Sequence, residues 1–135
     1  MQLPAGTHVA IVDGKRFVMM RNTGTEAEPA LTLEDEPDLA GMGESGAMGH
    51  HDTNAKSDDH HTQDKLDHAA QAANWLSHEV LEHRIEHLLI VADPDTLGEM
   101  RRNLHKAVQP VLVGEVAKQL TGMPGPAILD ILVAA

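Results

Sequence analysis

Apolar residues fall into five short runs along the chain, and each run has the length of a β-strand. Residues 8–12 and 16–22 flank Asp13-Gly14, a dipeptide that tolerates the positive φ angles of a tight hairpin turn. The alternation in "ALTLEDE" predicts a half-exposed third strand that ends before Pro37. The continuous run in "HLLIVAD" predicts a central strand covered on both faces, and "VLVGEVA" predicts a fifth strand.

Other segments have the residue spacing of helices. Apolar residues three and four positions apart predict a helix from about Asp64 to Glu86, and they are Leu66, Ala69, Ala73, Leu76 and Val80. Asp93 and Pro94 open a second helix, "TLGEMRRNLHKAV", whose acidic start and basic end suit the helix dipole. A third, apolar helix is predicted for "PGPAILDILVAA", with Pro126 tolerated in its first turn.

The segment from about residue 38 to residue 64 shows neither the apolar–polar alternation of a strand nor the three- and four-residue spacing of a helix. It is rich in glycine, histidine and aspartate, so it cannot bury enough apolar surface to offset the entropy lost on ordering. We therefore expect a long flexible loop at about 38–64 inside a single domain that spans residues 1–135.

The order of these elements predicts an α/β fold. The first three strands should form an antiparallel meander, and the last two strands alternate with helices. Because strand–helix–strand crossovers are right-handed and join parallel strands, the fourth and fifth strands should extend the sheet in parallel. The prediction is a five-stranded mixed sheet with three helices on its faces, which is a ribonuclease H-like arrangement.

The charge balance argues against direct nucleic-acid binding. Ten lysine and arginine residues against 21 aspartate and glutamate residues give a formal net charge of −11, which repels phosphate backbones. The start of the chain has no basic segment followed by an apolar run, and no apolar stretch has membrane length, so a cytoplasmic protein without membrane insertion is expected. The absence of cysteine excludes disulfides, thiolate metal sites and cysteine nucleophiles.

Residues 50–68, "HHDTNAKSDDHHTQDKLDH", hold five histidines and five aspartates. The weak candidate metal ligands are His50, His51, His60, His61, Asp58 and Asp59. Adjacent pairs in a flexible linker do not fix a coordination geometry, so we interpret the segment as a polar tether and predict no metal site. A histidine-rich metal-binding or pH-sensing protein stays open as an alternative, because imidazoles titrate at about pH 6.5.

Asp13 and Asp93 stand at the ends of the two strands expected at the sheet centre. Carboxylates in such positions hold Mg²⁺ in ribonuclease H-like enzymes, so a magnesium-dependent nuclease or hydrolase is the main alternative function. The hairpin turn and a helix cap explain each acid locally, and no third acid is clearly placed. The G-x-G-x-x-G pattern at residues 41–46 lacks its strand and helix, and no serine lies in a nucleophile elbow, so no catalytic residue is predicted.

The second predicted helix offers a candidate surface for a partner, where Gly98 permits close approach. The polar residues expected to be exposed there are Thr96, Glu99, Arg101, Arg102, His105 and Lys106. A plain solvated helix face is the simpler interpretation of the same residues.

Three stretches carry a family resemblance, namely "LPAGTHVAIVDGKRFVMMRN", "HLLIVADPDTLGEMRRNL" and "VGEVAKQLTGMP". With them the chain resembles the bacterial host attachment proteins, which are similar in fold to the middle domain of archaeal and eukaryotic class I peptide-chain release factors. The resemblance implies a role around the ribosome, an effect on attachment to host cells, and no reaction or cofactor.

Two features depart from what the resemblance implies. The release-factor domain hydrolyses peptidyl-tRNA through a Gly-Gly-Gln tip, and no such tripeptide occurs in this chain. Gln119 stands where the family commonly has an acidic residue, so no ligand role is carried over to it. The leading hypothesis is therefore a non-enzymatic cytoplasmic module that needs no cofactor and binds a protein or ribonucleoprotein partner.

Overall fold

The computed structural model describes residues 1–39 and 60–135, and the side chains of residues 60–63 are outside that description. Most of the predicted flexible loop, residues 40–59, therefore lies outside the described residues. The strands of the described part are β1 (His8–Val12), β2 (Phe17–Asn22), β3 (Leu31–Asp35), β4 (Leu88–Ala92) and β5 (Leu112–Val116).

Within the described residues, β1 lies at the centre of a five-stranded sheet with the order β3-β2-β1-β4-β5. β2 runs antiparallel to both β1 and β3, whereas β4 runs parallel to both β1 and β5. The predicted mixed sheet is confirmed, and its ribonuclease H-like name stays a prediction. The prediction of β4 as the central strand is wrong, because the meander adds both β2 and β3 on the far side of β1.

The first described helix, α1 (His60–Leu81), begins and ends earlier than predicted. Its end is set by His83, which has a φ of 63°. The N–H groups of His83 and Arg84 donate back to the carbonyls of Val80 and Glu79, a pair of bonds that closes a helix at a left-handed residue. The predicted continuation to Glu86 is therefore wrong.

The second helix, α2 (Pro94–Asn103), is also shorter than the pattern suggested. Leu104 is extended, and the imidazole Nδ1 of His105 accepts the N–H of Ala107 at 2.9 Å. This bond starts a separate 3₁₀ helix (Lys106–Val111), which accommodates Pro110. The last helix is α3 (Gly125–Ala134).

Helices cover both faces of the sheet. Ala10, Val12 and Ile90 face α1, α2 and the 3₁₀ helix, while the alternate residues Val9 and Ile11 face α3. β4 is buried along its whole length, as predicted for a strand covered on both faces, and β1 is buried along its whole length as well. In the part of the chain that the structure describes, no helix is both long and apolar enough to cross a membrane.

Candidate functional site

Two acidic side chains emerge at one edge of the sheet, where β1 and β4 end. These strands are parallel neighbours, and their last residues, Val12 and Ala92, are paired. Asp13 and Asp93 follow directly and line a cleft of about 450 Å³ together with Gly14, Lys15, Lys65 and Gln119. The predicted position of both acids at strand ends is confirmed.

The Asp13 carboxylate receives hydrogen bonds from two loops. Its Oδ1 accepts the N–H groups of Lys15 at 2.7 Å and Arg16 at 2.6 Å. Its Oδ2 accepts the Thr121 hydroxyl at 2.5 Å and the Gln119 amide at 3.3 Å. Asp13 therefore joins the β1–β2 turn to the loop between β5 and α3.

The Asp93 carboxylate caps α2 and binds a lysine from α1. Its Oδ1 accepts the Thr96 hydroxyl at 2.7 Å, and its Oδ2 accepts the Thr96 N–H at 3.2 Å. The Lys65 ammonium lies 2.9 Å from Asp93 Oδ2 and 3.9 Å from Asp95 Oδ2. A carboxylate at this position also suits the positive end of the helix dipole. The start of α2 is thus tied to the N-terminal part of α1.

Gly14 allows α1 to approach the β1–β2 turn. A Cβ on Gly14 would lie 2.8 Å from Lys65 Cγ, which is closer than real Cβ atoms come. The antiparallel pairing of β1 and β2 confirms the predicted hairpin. Gly14 has no positive φ, so the explanation of Asp13-Gly14 by positive φ angles is wrong. His68 adds a second link, because its Nδ1 lies 2.8 Å from the Asp13 carbonyl oxygen.

Both aspartates have lowered pKa values. Partial burial alone raises the pKa of Asp13, but the bonds from Thr121, Lys15, Arg16 and Gln119 lower it by more. Burial likewise raises the pKa of Asp93, and the bonds from Lys65 and Thr96 outweigh it. The hydrogen bond to Asp93 raises the pKa of Lys65, so the pair stays charged at neutral pH.

This arrangement fits a magnesium site poorly. Hydrogen-bond donors occupy both oxygens of Asp13, and the Thr96 hydroxyl and the Lys65 ammonium occupy Oδ1 and Oδ2 of Asp93. Gln119 presents its amide N–H₂ to Asp13, whereas Mg²⁺ takes oxygen ligands. Among the described residues, no group of three histidine, aspartate or glutamate side chains is placed to hold a metal ion. The cleft is therefore a junction of α1 and three loops, and we derive no metal-dependent step from it.

The candidate partner surface on α2 is only partly as expected. Arg101, Arg102, His105 and Lys106 are exposed. Thr96 is fully buried, so its predicted exposure is wrong, because its hydroxyl turns inward to Asp93.

The arginines of this surface are paired with acids of the same chain. Arg101 donates through Nε and Nη2 to Glu115 Oε1, at 2.8 and 2.6 Å. Arg102 Nη1 lies 2.5 Å from Glu99 Oε1, and Glu99 is half-buried. These pairs fix the direction of both guanidinium groups and leave part of each exposed.

Most of the weak candidate metal ligands of the histidine-rich segment lie outside the residues that the structure describes. His50, His51, Asp58 and Asp59 belong to the residues that the structure does not describe. His60 and His61 form the first turn of α1, and their side chains are not described. The weak metal-ligand assignment of these residues stays a prediction.

Sequence reasoning missed Lys65 and Thr121 as partners of the two aspartates. Thr121 is 108 residues from Asp13, and Lys65 lies on a different element of the fold. No local pattern marks such contacts, because they arise only when the strand order brings the loops together.

The comparison with known families adds to this geometry. A family model described as bacterial archaeo-eukaryotic release factor family 12 matches residues 6–132. The protein is thus an α/β domain of release-factor type. It belongs to the bacterial archaeo-eukaryotic release factor family 12. The match supports the release-factor part of the resemblance and not the host-attachment name, and no curated protein matches the chain.

Proposed function

We propose that the protein is a non-enzymatic, cytoplasmic module that acts around translation by binding a protein or ribonucleoprotein partner. The observation that carries this proposal is the family match across residues 6–132. An effect on attachment to host cells, which the resemblance implied, is compatible with such a role but is not required by it.

The absence of a reaction is supported by the sequence and by the site. The Gly-Gly-Gln tripeptide through which release factors hydrolyse peptidyl-tRNA does not occur in the chain. The carboxylates at the carboxyl ends of β1 and β4 are engaged by internal donors, so neither is poised as a general base.

The proposed contact surface is the exposed end of α2 with the turn after it. Arg101, Arg102, His105 and Lys106 bring basic groups together on a chain that is otherwise acidic. The ion pairs with Glu99 and Glu115 hold the guanidinium groups in place, and each group keeps further N–H donors for an anionic partner.

Sedimentation with purified ribosomes through a sucrose gradient tests the proposal. We expect the wild-type protein to migrate with ribosomal particles at low salt and to be released as salt rises, because exposed charges are screened. The double variant Arg101→Glu/Arg102→Glu should lose at least about tenfold in affinity, because two attractive contacts become repulsive.

The matched control is Lys15→Glu/Lys118→Glu, which changes the net charge equally at exposed positions outside the last turn of α2 and the turn after it. It should migrate nearly as the wild type does. If the wild-type protein stays at the top of the gradient, the translational role is wrong. If both double variants lose binding equally, the α2 surface is not the contact.

A further inference from the structure

The strand β3 and the loops beside it form a strongly acidic surface. Residues 22–39 contain no lysine or arginine. The same segment carries six exposed carboxylates, those of Glu26, Glu28, Glu34, Asp35, Glu36 and Asp38. An acidic surface of this kind attracts cationic partners and repels nucleic acid.

β3 is also an edge strand. It pairs with β2 on one side, and no strand of the described residues pairs with its other side. The backbone N–H and C=O groups along such an edge can bind an extended segment of another protein as an additional strand.

A cleft of about 380 Å³ opens beside this edge, between β3 and the end of α1. We call it the edge cleft, and it is lined by the acids Glu34, Asp35 and Glu79, by the cations Arg21 and Arg84, and by Trp75. The Trp75 indole is held by an edge-to-face contact with Phe17, with ring centroids 5.4 Å apart. The volume lies in the usual range of binding pockets, and an aromatic wall with several carboxylates suits a cationic side chain.

His8 also lines the edge cleft and contacts one of its acids. It is buried, its Nε2 lies 3.1 Å from Glu34 Oε1, and its Nδ1 has no hydrogen-bond partner among the residues that the structure describes. Burial lowers the pKa of His8 despite the nearby Glu34, so the imidazole is neutral at pH 7 and does not cancel the carboxylate. Buried polar atoms without partners are rare, but this Nδ1 is itself inaccessible to solvent, so we do not treat it as a contact for a ligand.

The acids of the edge cleft outnumber its cations. Glu79 is paired with Arg84 through two contacts of 2.9 Å, and Arg21 lies 4.0 Å from Glu34. The Asp35 side chain has no hydrogen bond or ion pair within the part of the chain that the structure describes. One exposed carboxylate beside the open edge of β3 is therefore available to a ligand.

We propose that the open edge of β3 and the edge cleft bind an extended, arginine- or lysine-rich segment of a partner protein. The segment adds to β3 as a strand, and side chains alternate between the two faces. One cationic side chain enters the edge cleft and lies against Trp75 near Asp35 and Glu34. This surface is separate from the basic end of α2, so the proposal does not rest on the translational role.

Calorimetric titration with a synthetic peptide of about eight residues that alternates arginine and threonine tests the proposal. The wild-type protein should bind it saturably with one site. The double variant Glu34→Gln/Asp35→Asn should bind at least about tenfold more weakly, because it removes two charges that a cation would pair with. Trp75→Leu should weaken binding about fivefold, because it removes the aromatic face. Circular dichroism should show that both variants remain folded.

The matched control is Asp130→Asn, which removes one exposed carboxylate on α3 and should leave the affinity unchanged. A peptide of the same sequence with N-methylated backbone amides on one edge should lose binding, because it cannot add as a strand. The proposal is overturned by wild-type protein that does not bind the arginine peptide. It is equally overturned by a Glu34/Asp35 variant that binds as the wild type does, or by an N-methylated peptide that binds unchanged.

The same titration separates this proposal from the α2 surface. Arg101→Glu/Arg102→Glu should bind the peptide with wild-type affinity, whatever its behaviour with ribosomes. A single-stranded RNA oligonucleotide that binds at the edge cleft, competing with the peptide, would contradict the assignment to a basic protein segment.

Discussion

Replacing Asn22 by alanine is expected to lower the free energy of unfolding by about 3 kcal/mol, because it leaves one buried and four partly buried backbone groups without their partner. The Asn22 side chain donates to the carbonyls of Leu3, Pro4 and Thr25 and accepts from the N–H groups of Gly24 and Ala30. Asn22 itself is 1% exposed, so water cannot replace these bonds without opening the fold. Urea unfolding followed by circular dichroism measures the change.

Asn103→Ala is the matched control. The Asn103 amide donates to the carbonyl and carboxylate of Glu99 near the end of α2, where solvent is close. Its loss should cost less than about 1 kcal/mol. Equal effects of the two substitutions would contradict the role assigned to Asn22, which is to anchor the loop that leads into β3.

Asp13→Ala is expected to lower the free energy of unfolding by about 2 kcal/mol, because a carboxylate that receives four hydrogen bonds is lost. The same unfolding measurement applies. Asp95→Ala is the matched control, since Asp95 is exposed and its carboxylate lies 3.9 Å from the Lys65 ammonium. The control should change stability by less than about 0.5 kcal/mol.

The Asp13 contribution should also depend on pH. Its pKa is lowered from the ordinary value of 3.8, so the folded state holds its proton less tightly than the unfolded chain. The stabilisation is therefore complete above about pH 4 and is lost as the pH falls through the lower, folded pKa. The difference between wild type and Asp13→Ala should shrink on acidification, and a difference that grows there would contradict the assignment.

The strands and their directions could be predicted because each strand is marked by a local pattern of apolar residues. The alternating and continuous apolar runs indicate which segments are strands, and the crossover rule makes β4 and β5 parallel to β1. Because β1 and β4 are parallel, Asp13 and Asp93, which follow their last residues, lie at the same edge of the sheet.

The partners of those aspartates could not be predicted, because Lys65, Gln119 and Thr121 reach them only in the folded chain. Asn22 gave no signal either, since asparagine is uncommon in strands and its role depends on distant carbonyl groups. The early end of α1 was also missed, because the residue that ends it, His83, is not the glycine that usually adopts this left-handed conformation.

The end of the second helix was also predicted too late, because the local pattern favours a longer helix. Residues 104–108 continue an amphipathic pattern, but Leu104 is extended and His105 caps a new 3₁₀ turn. The His105 N–H donates to the hydroxyl of Ser77 on α1 at 2.9 Å, and this bond holds the chain in place between α2 and the 3₁₀ helix. A tertiary contact therefore overrides the local preference.

A Mn²⁺ titration of ¹⁵N-labelled protein, observed through its amide resonances, tests whether the carboxylates of Asp13 and Asp93 are internal partners and not metal ligands. We expect no saturable broadening centred on Asp13, Gly14 and Asp93 at Mn²⁺ concentrations that saturate a magnesium enzyme. Stoichiometric broadening centred on these residues, and lost in Asp13→Asn, would overturn this assignment and favour a metal-dependent hydrolase.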